Sequence, residues 1–230
     1  MTIWGIIPAA GSGSRMNSEI PKQYLTIDGR TVLDHSISRL LASPQVSGVC
    51  VALSADDSRW PSSDYAADPK VITVVGGTER HHSVRNALKR LDALNVGDAW
   101  VLVHDAARPC LSQDDLSSLI DQVQDKSGGL LACPVVDTLK KSDATGSVLE
   151  TVDRQVLWRA MTPQMFRLQA LKKAIDQAEK KGLLITDDAG AMELSGVKPK
   201  LIEGSAQNIK ITRPEDLWMA EMILLRQRRK

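Results

Sequence analysis

The chain has 230 residues, 43% of them hydrophobic and 25% charged, and 29 basic against 28 acidic side chains leave a formal charge of +1. That balance fits an ordinary globular protein of one large or two small domains, and it excludes bulk electrostatic attraction to nucleic acid or to an anionic membrane surface. Three cysteines, Cys50, Cys110 and Cys133, occur without C-x-x-C spacing; the odd count argues against a disulfide framework or structural zinc and for a reducing compartment.

The chain opens directly on a strand, without a basic leader, and no stretch approaches the roughly 20 apolar residues of a membrane helix. The expected location is cytoplasmic, with no nucleic-acid or membrane partner. Residues 3–7 are continuously apolar, the pattern of a strand covered on both faces. Residues 31–43 place Leu33, Ile37, Leu40 and Leu41 on one helical face. Strands are predicted at 47–53 and at 70–75, the latter closed by Gly76-Gly77. Residues 81–94 form a helix with Val84, Leu88 and Leu91 on its inner face. A strand follows at 99–105, then a helix over 112–123 with Ser112 as N-cap, and a strand at 129–135. Alternating strands and helices imply β-α-β units and a mostly parallel sheet with right-handed crossovers.

That alternation breaks at residue 136. Residues 136–154 read as two polar strands around the turn-like DATGS, a hairpin with no core of its own to bury against. It is expected to act as an arm packed on a second subunit, a plain surface hairpin being the simpler alternative. Helices follow at 168–182, stopped by Gly182, and at 186–196, capped by Thr186. A strand is expected at Asn208–Thr212, and a last helix starts at Pro214, a favourable first-turn residue. Its cationic end, RQRRK, is read as a solvated helix terminus. The fold class is therefore α/β: a Rossmann-like three-layer sandwich with a mostly parallel sheet and a protruding β-arm, one domain over 1–230 with 136–156 as the arm.

The stretch IIPAAGSGSRM, residues 6–16, sits where an open parallel sheet collects its ligands, after the carboxyl end of a strand. Small residues let a ligand approach the backbone, and successive N–H groups can cradle phosphate. Arg15 adds a planar, permanently charged fork and Lys22 a second cation. The dinucleotide fingerprint is incomplete, with Met16 in place of its third glycine, and the P-loop pattern is absent. Two spaced cations beside the glycines favour a nucleoside triphosphate over a dinucleotide or a purely structural turn.

PAAGSGSRM and PKQYL, followed by GGTERHHSV, VHDAARP, TVDRQVLWRAMTPQ and EGSAQNIKIT, resemble in content and order the family of 2-C-methyl-D-erythritol 4-phosphate cytidylyltransferases. The resemblance covers nearly the whole chain. It implies a Mg²⁺-dependent (or other divalent-cation-dependent) transfer of cytidylyl from CTP to methylerythritol phosphate, in isoprenoid precursor synthesis. It releases pyrophosphate and needs no covalent enzyme intermediate. It assigns Arg15, Lys22 and Lys210 to catalysis. Ala9, Ala10, Gly77, Thr78 and Ser83 would surround cytosine, Gly11 and Gly13 would wrap the triphosphate, and Ala106 would lie beside the ribose. Asp105 would be a magnesium- or ribose-directed carboxylate. Arg108, Thr138, Arg154, Thr162 and Lys210 would contact the polyol phosphate. Thr138 and Arg154 flank the arm, so the resemblance implies a homodimer with shared active sites.

Simpler readings stand beside these. Asp105 could cap the next segment, and Arg154 could be a surface ion pair. His81 and His82, adjacent on a helix, are expected to point apart and not to ligate metal. His104 is read as structural, Cys110 as inert and Trp100 as packing. Ser14, Met161 and TDDAGAME depart from the family pattern without touching the named cations or Asp105. A cytidylyltransferase for ribitol 5-phosphate is the nearest rival; TVDRQVLW argues against it.

Overall fold

The computed structural model describes residues 1–11, 20–123 and 127–228. Eleven strands lie among them: β1 (Ile3–Pro8), β2 (Thr26–Ile27), β3 (Arg30–Thr31), β4 (Val46–Leu53), β5 (Val71–Val75), β6 (Trp100–Val103), β7 (Gly129–Pro134), β8 (Leu139–Ser142), β9 (Val148–Val152), β10 (Trp158–Arg167) and β11 (Lys200–Glu203). The helices are α1 (Val32–Leu41), α2 (Arg80–Ala93), α3 (Gln113–Val123), α4 (Leu168–Lys180), α5 (Asp188–Leu194) and α6 (Pro214–Arg228). Seven strands form one sheet in the order β11-β7-β10-β6-β1-β4-β5. Every pairing in it is parallel except those of β10, which runs antiparallel between β6 and β7.

Alternation along each strand divides the core. In β6, Trp100 and Leu102 pack with Leu33, Ile37 and Leu40 of α1 and with Leu116 and Leu119 of α3. Val101 and Val103 face the other way, onto Val84, Leu88 and Leu91 of α2 and Leu171 and Ile175 of α4. Helices on both faces of one sheet make the three layers expected. Each such fully buried Leu or Ile contributes about 1.5–3 kcal/mol. A third cluster joins Ala220 and Leu224 of α6 to Ile27, Val32, Ala107 and Ile211. The cysteines are free and buried, and burial raises the Cys50 and Cys110 thiols to about 12, so neither is a nucleophile.

One strand was not anticipated and three expectations need correction. The 158–167 stretch is a ten-residue strand. Its apolar run is broken by Thr162-Pro163, so a pattern reading passes over it, while two neighbours supply its ladder. The strand expected at Asn208–Thr212 is irregular extended chain, because it lies against Ala107 in a loop, where Ile211 N donates to Ala107 O at 2.9 Å, and not against a strand. The strand of that region is β11, on the sheet edge beside β7. The cap of α5 is Asp187, whose side chain accepts from Gly190 N at 2.8 Å, in place of Thr186. Finally, His81 and His82 converge, as described below.

The hairpin of the expected arm is present. β8 and β9 form their own two-stranded sheet, turned by Asp143, whose carboxylate accepts from Thr145 N and Ser147 N, and by Gly146 at φ 87°. All of its strand residues except Val152 are exposed.

Candidate active site

β1, β4, β5 and β6 are parallel neighbours, so their carboxyl ends share one edge of the sheet. The chain leaves that edge through Ala9-Ala10-Gly11 after β1, Gly76-Gly77 after β5 and His104-Asp105 after β6. β1 is the switch point: one successor, β4, lies to one side, and β6 lies to the other, the place where open sheets leave a crevice.

The loop after β1 is held by a side chain the sequence reading gave no role. Gln23, buried, donates from Nε2 to Ala9 O at 2.8 Å and to Gly11 O at 2.9 Å. Facing it, a Cβ on Gly76 would meet Ala10 Cβ at 2.5 Å and Ser83 Oγ at 2.8 Å, and one on Gly77 would collide with His82 Cβ. Glycine is required there for the close approach of two loops. Ser83 Oγ accepts from Gly77 N at 3.1 Å, which fixes the turn. Two cavities share Ala10 and Gly11. One of about 140 Å³ is bounded by Gly77, Thr78, Arg80 and Ser83, and one of about 250 Å³ by Gln23, Tyr24, Ser54 and Asp57. A larger cavity, about 450 Å³, lies between the start of α3 and the end of α6, with Ser205 and Gln207 after β11 in its wall, and shares no lining residue with the other two.

Beside them lies a cationic cluster around one carboxylate. Asp105 Oδ1 accepts from Arg80 Nε at 3.2 Å; Oδ2 lies 2.9 Å from Lys210 Nζ and 3.4 Å from Arg108 Nε. Burial alone would raise the Asp105 carboxyl, but Arg80, Lys210 and Arg108 outweigh it and hold the group well below the usual carboxylate range. Arg80 also reaches Asp188 Oδ2 at 2.9 Å. Burial pushes the Asp188 carboxyl up, offset only in part by Arg80. Arg80 thus ties the start of α2 to the end of β6 and the start of α5; it stands in GGTERHHSV, but its two partners lie far along the chain. Asp105 does not suit the magnesium role expected of it. Its oxygens already face three cations, and a dication would have to displace Lys210 or Arg108. Those cations suit a phosphate instead.

Beneath Asp105 lies a closed hydrogen-bond chain. Thr162 Oγ1 accepts from Asp105 N at 3.0 Å and lies 3.1 Å from His104 Nδ1; His104 Nε2 lies 3.0 Å from Arg108 O. One arrangement satisfies all three: Nε2–H donates to the carbonyl and Nδ1 accepts the threonine proton. Burial lowers His104 to about 4, so the imidazole is neutral. Asn208 Nδ2 donates to Thr162 O at 2.7 Å, and Arg108 Nη1 donates to Asn208 O at 2.6 Å. Thr162, buried and engaged, acts in this structure as a prop for Asp105 and not as an open contact.

Lys22 Nζ donates to Ile211 O at 3.0 Å, the residue after Lys210, so both lysines meet at one short segment. Ala106 is buried behind Asp105. Arg154 Nη1 donates to Val136 O at 2.6 Å and lies 3.5 Å from Thr138 Oγ1, so these two come together at the base of the arm. Among the described residues, no hydrogen bond or ion pair joins them to the Asp105 cluster. Gly13 and Arg15 lie outside the described residues.

Backbone cavities lined by glycine and alanine, beside cations at the carboxyl edge of a parallel sheet, define a nucleotide-binding α/β protein. The model of one family, 2-C-methyl-D-erythritol 4-phosphate cytidylyltransferase (IspD), matches residues 3–226, and the chain belongs to that family. The enzyme of that name from Pseudomonas fluorescens strain SBW25 is 55% identical over 219 residues, 94% of this chain and 93% of the relative. That from Pseudomonas aeruginosa PAO1 is 53% identical over 216 residues, 93% and 92% of the two chains. The crystal structure of the Francisella tularensis enzyme superimposes with a TM-score of 0.84 at 37% identity, covering 97% of this chain and all 100% of that one. No helix among the described residues is long and apolar enough to cross a membrane.

Proposed function

We propose that the chain transfers cytidylyl from CTP to 2-C-methyl-D-erythritol 4-phosphate. Family membership supports this reading, and the observation that carries it is the meeting of Lys22 and Lys210 at one segment beside Asp105 and the glycine-lined cavities. Cytosine is read at the Ala9-Ala10 and Gly77-Thr78 backbone, where fixed N–H and C=O groups can select a base edge. Ser83 holds that turn, and Gly11 leaves room for the triphosphate, a role the family resemblance also gives to Gly13.

An oxygen of the acceptor phosphate attacks the α-phosphorus of CTP in line. A new P–O bond forms, the bond from the α-phosphorus to the α,β-bridging oxygen breaks, and pyrophosphate leaves with the electron pair. The protein contributes positioning and charge: Arg15, Lys22 and Lys210 neutralise the oxygens on which charge builds. Lys210 is poised to exchange its Asp105 partner for phosphate, and Arg108 stays on Asp105. A divalent cation, Mg²⁺ by family resemblance, would neutralise phosphate charge as the metal–nucleotide complex.

Arg154 and Thr138, apart from the Asp105 cluster of their own chain, are read as polyol-phosphate contacts given to the site of a second subunit, with the arm as the dimer contact. Exposed Val136, Val148, Leu149 and Val156 along the arm support that.

The test is pyrophosphate release from CTP, ATP, GTP and UTP with Mg²⁺, each paired with methylerythritol phosphate and with ribitol 5-phosphate. Release confined to CTP with methylerythritol phosphate is expected. A larger kcat/KM for ribitol 5-phosphate would refute the acceptor assignment, and indifference to the base would refute the cytosine pocket.

A further inference from the structure

Successive residues on a helix normally diverge, yet the His81 and His82 rings lie 4.2 Å apart between centroids. Both reach from the first turn of α2 to the last turn of α4. There His82 Nε2 is 3.4 Å and His81 Nε2 3.9 Å from one oxygen, Glu179 Oε1. That oxygen is buried and has no hydrogen-bond partner among the described residues. Its twin, Oε2, is held by Arg85 Nη1 at 2.7 Å, and Arg85 Nε is fixed by Asp176 at 2.6 Å. The carboxylate is therefore locked with one open oxygen aimed at two imidazole nitrogens.

The three ligand atoms lie within 4.8 Å of one another. Tetrahedral zinc, with bonds of about 2.0–2.1 Å, keeps its ligands about 3.4 Å apart. The Glu179–His82 pair already has that spacing, and from 4.8 Å no other pair must close by more than about 1.4 Å. A metal-bound imidazole donates its other N–H to an oxygen, and Thr78 Oγ1 lies 3.0 Å from His82 Nδ1. With the proton on Nδ1, the Nε2 lone pair faces Glu179. The Glu79 amide, which reaches Nδ1 at 3.3 Å, would lose that acceptor in exchange.

We propose that His81, His82 and Glu179 form a Zn²⁺ site, apart from the substrate site, with water as fourth ligand. Two neutral nitrogens and one carboxylate suit zinc and not the all-oxygen preference of Mg²⁺ or Ca²⁺. The ion would clamp the start of α2 to the end of α4 and, through His82 and Thr78, stiffen the turn that bounds the smaller cavity. The site stands independently of the cytidylyl-transfer reading.

Chelator-treated, tag-free protein is titrated with Zn²⁺ by calorimetry in millimolar Mg²⁺, and with Co²⁺ followed by visible absorption. One Zn²⁺ per chain is expected, retained against Mg²⁺, with the absorption of tetrahedral Co²⁺. His81→Ala and Glu179→Gln, on separate helices and each checked for fold by circular dichroism, should weaken binding about tenfold or more. The buried cysteines offer no competing site. Absence of binding by the wild type, displacement by Mg²⁺, or unchanged affinity in both folded variants would overturn the proposal.

Discussion

Lys22 and Lys210 are the side chains on which the proposed chemistry leans hardest. Their charge matters most as the α-phosphorus gains its fifth oxygen, so Lys22→Ala should lower kcat by about 10²–10³-fold or more with a smaller change in KM for CTP. Steady-state kinetics on the folded variant checks this, and near-normal turnover would remove Lys22 from the mechanism. Asp105 has a different task. Removing its charge leaves Arg80, Arg108 and Lys210 facing one another, so Asp105→Asn should destabilise the fold by about 3–5 kcal/mol, read from urea denaturation. His104 gives the site a pH signature. Its folded pKa, about 4, lies below the unfolded value near 6.5, so its stabilising contribution is complete above pH 6.5 and is lost as pH falls toward 4, by about 3 kcal/mol. His104→Gln should flatten that part of the urea-midpoint profile; an unchanged slope would contradict the assignment. At this scale Lys22, Lys210, Arg108 and Asp105, which the fold brings to one region, had each been singled out in the sequence. Arg80, Gln23 and the Thr162 prop had not, because each acts on partners that only the fold brings near.

Local pattern carried the parallel half of the sheet well, since buried strands are continuously apolar and their helices periodic. It failed at β10, whose identity comes from strands on both sides, and at the 208–212 segment, whose apolar residues pack against a loop and α6. The glycine loops belong to this scale too. Gly76→Ala would push Ala10 away from the turn after β5. KM for CTP should rise by about tenfold or more, with kcat less affected, because the base site and not the lysines is displaced. Equal KM values for wild type and variant would mean that this turn does not hold the base.

For the whole molecule, the arm decides how sites are built. The sequence revealed a hairpin without a core, and the structure keeps it exposed, with Arg154 and Thr138 at its base. What it packs on follows from a partner chain and so is written in no local pattern. If sites are shared as proposed, mixing Lys22→Ala with Arg154→Ala protomers should restore about a quarter of wild-type activity, because about half the dimers are hybrids with one intact site of two. Additive inactivity would place Arg154 outside the neighbour's site. The most direct measurement is ³¹P NMR of the wild-type protein with CTP, Mg²⁺ and methylerythritol phosphate in one tube. The account predicts equal amounts of pyrophosphate and of a new diphosphate ester with two coupled phosphorus resonances. Orthophosphate, or pyrophosphate beside CMP without that ester, would mean that water is the acceptor and would contradict it.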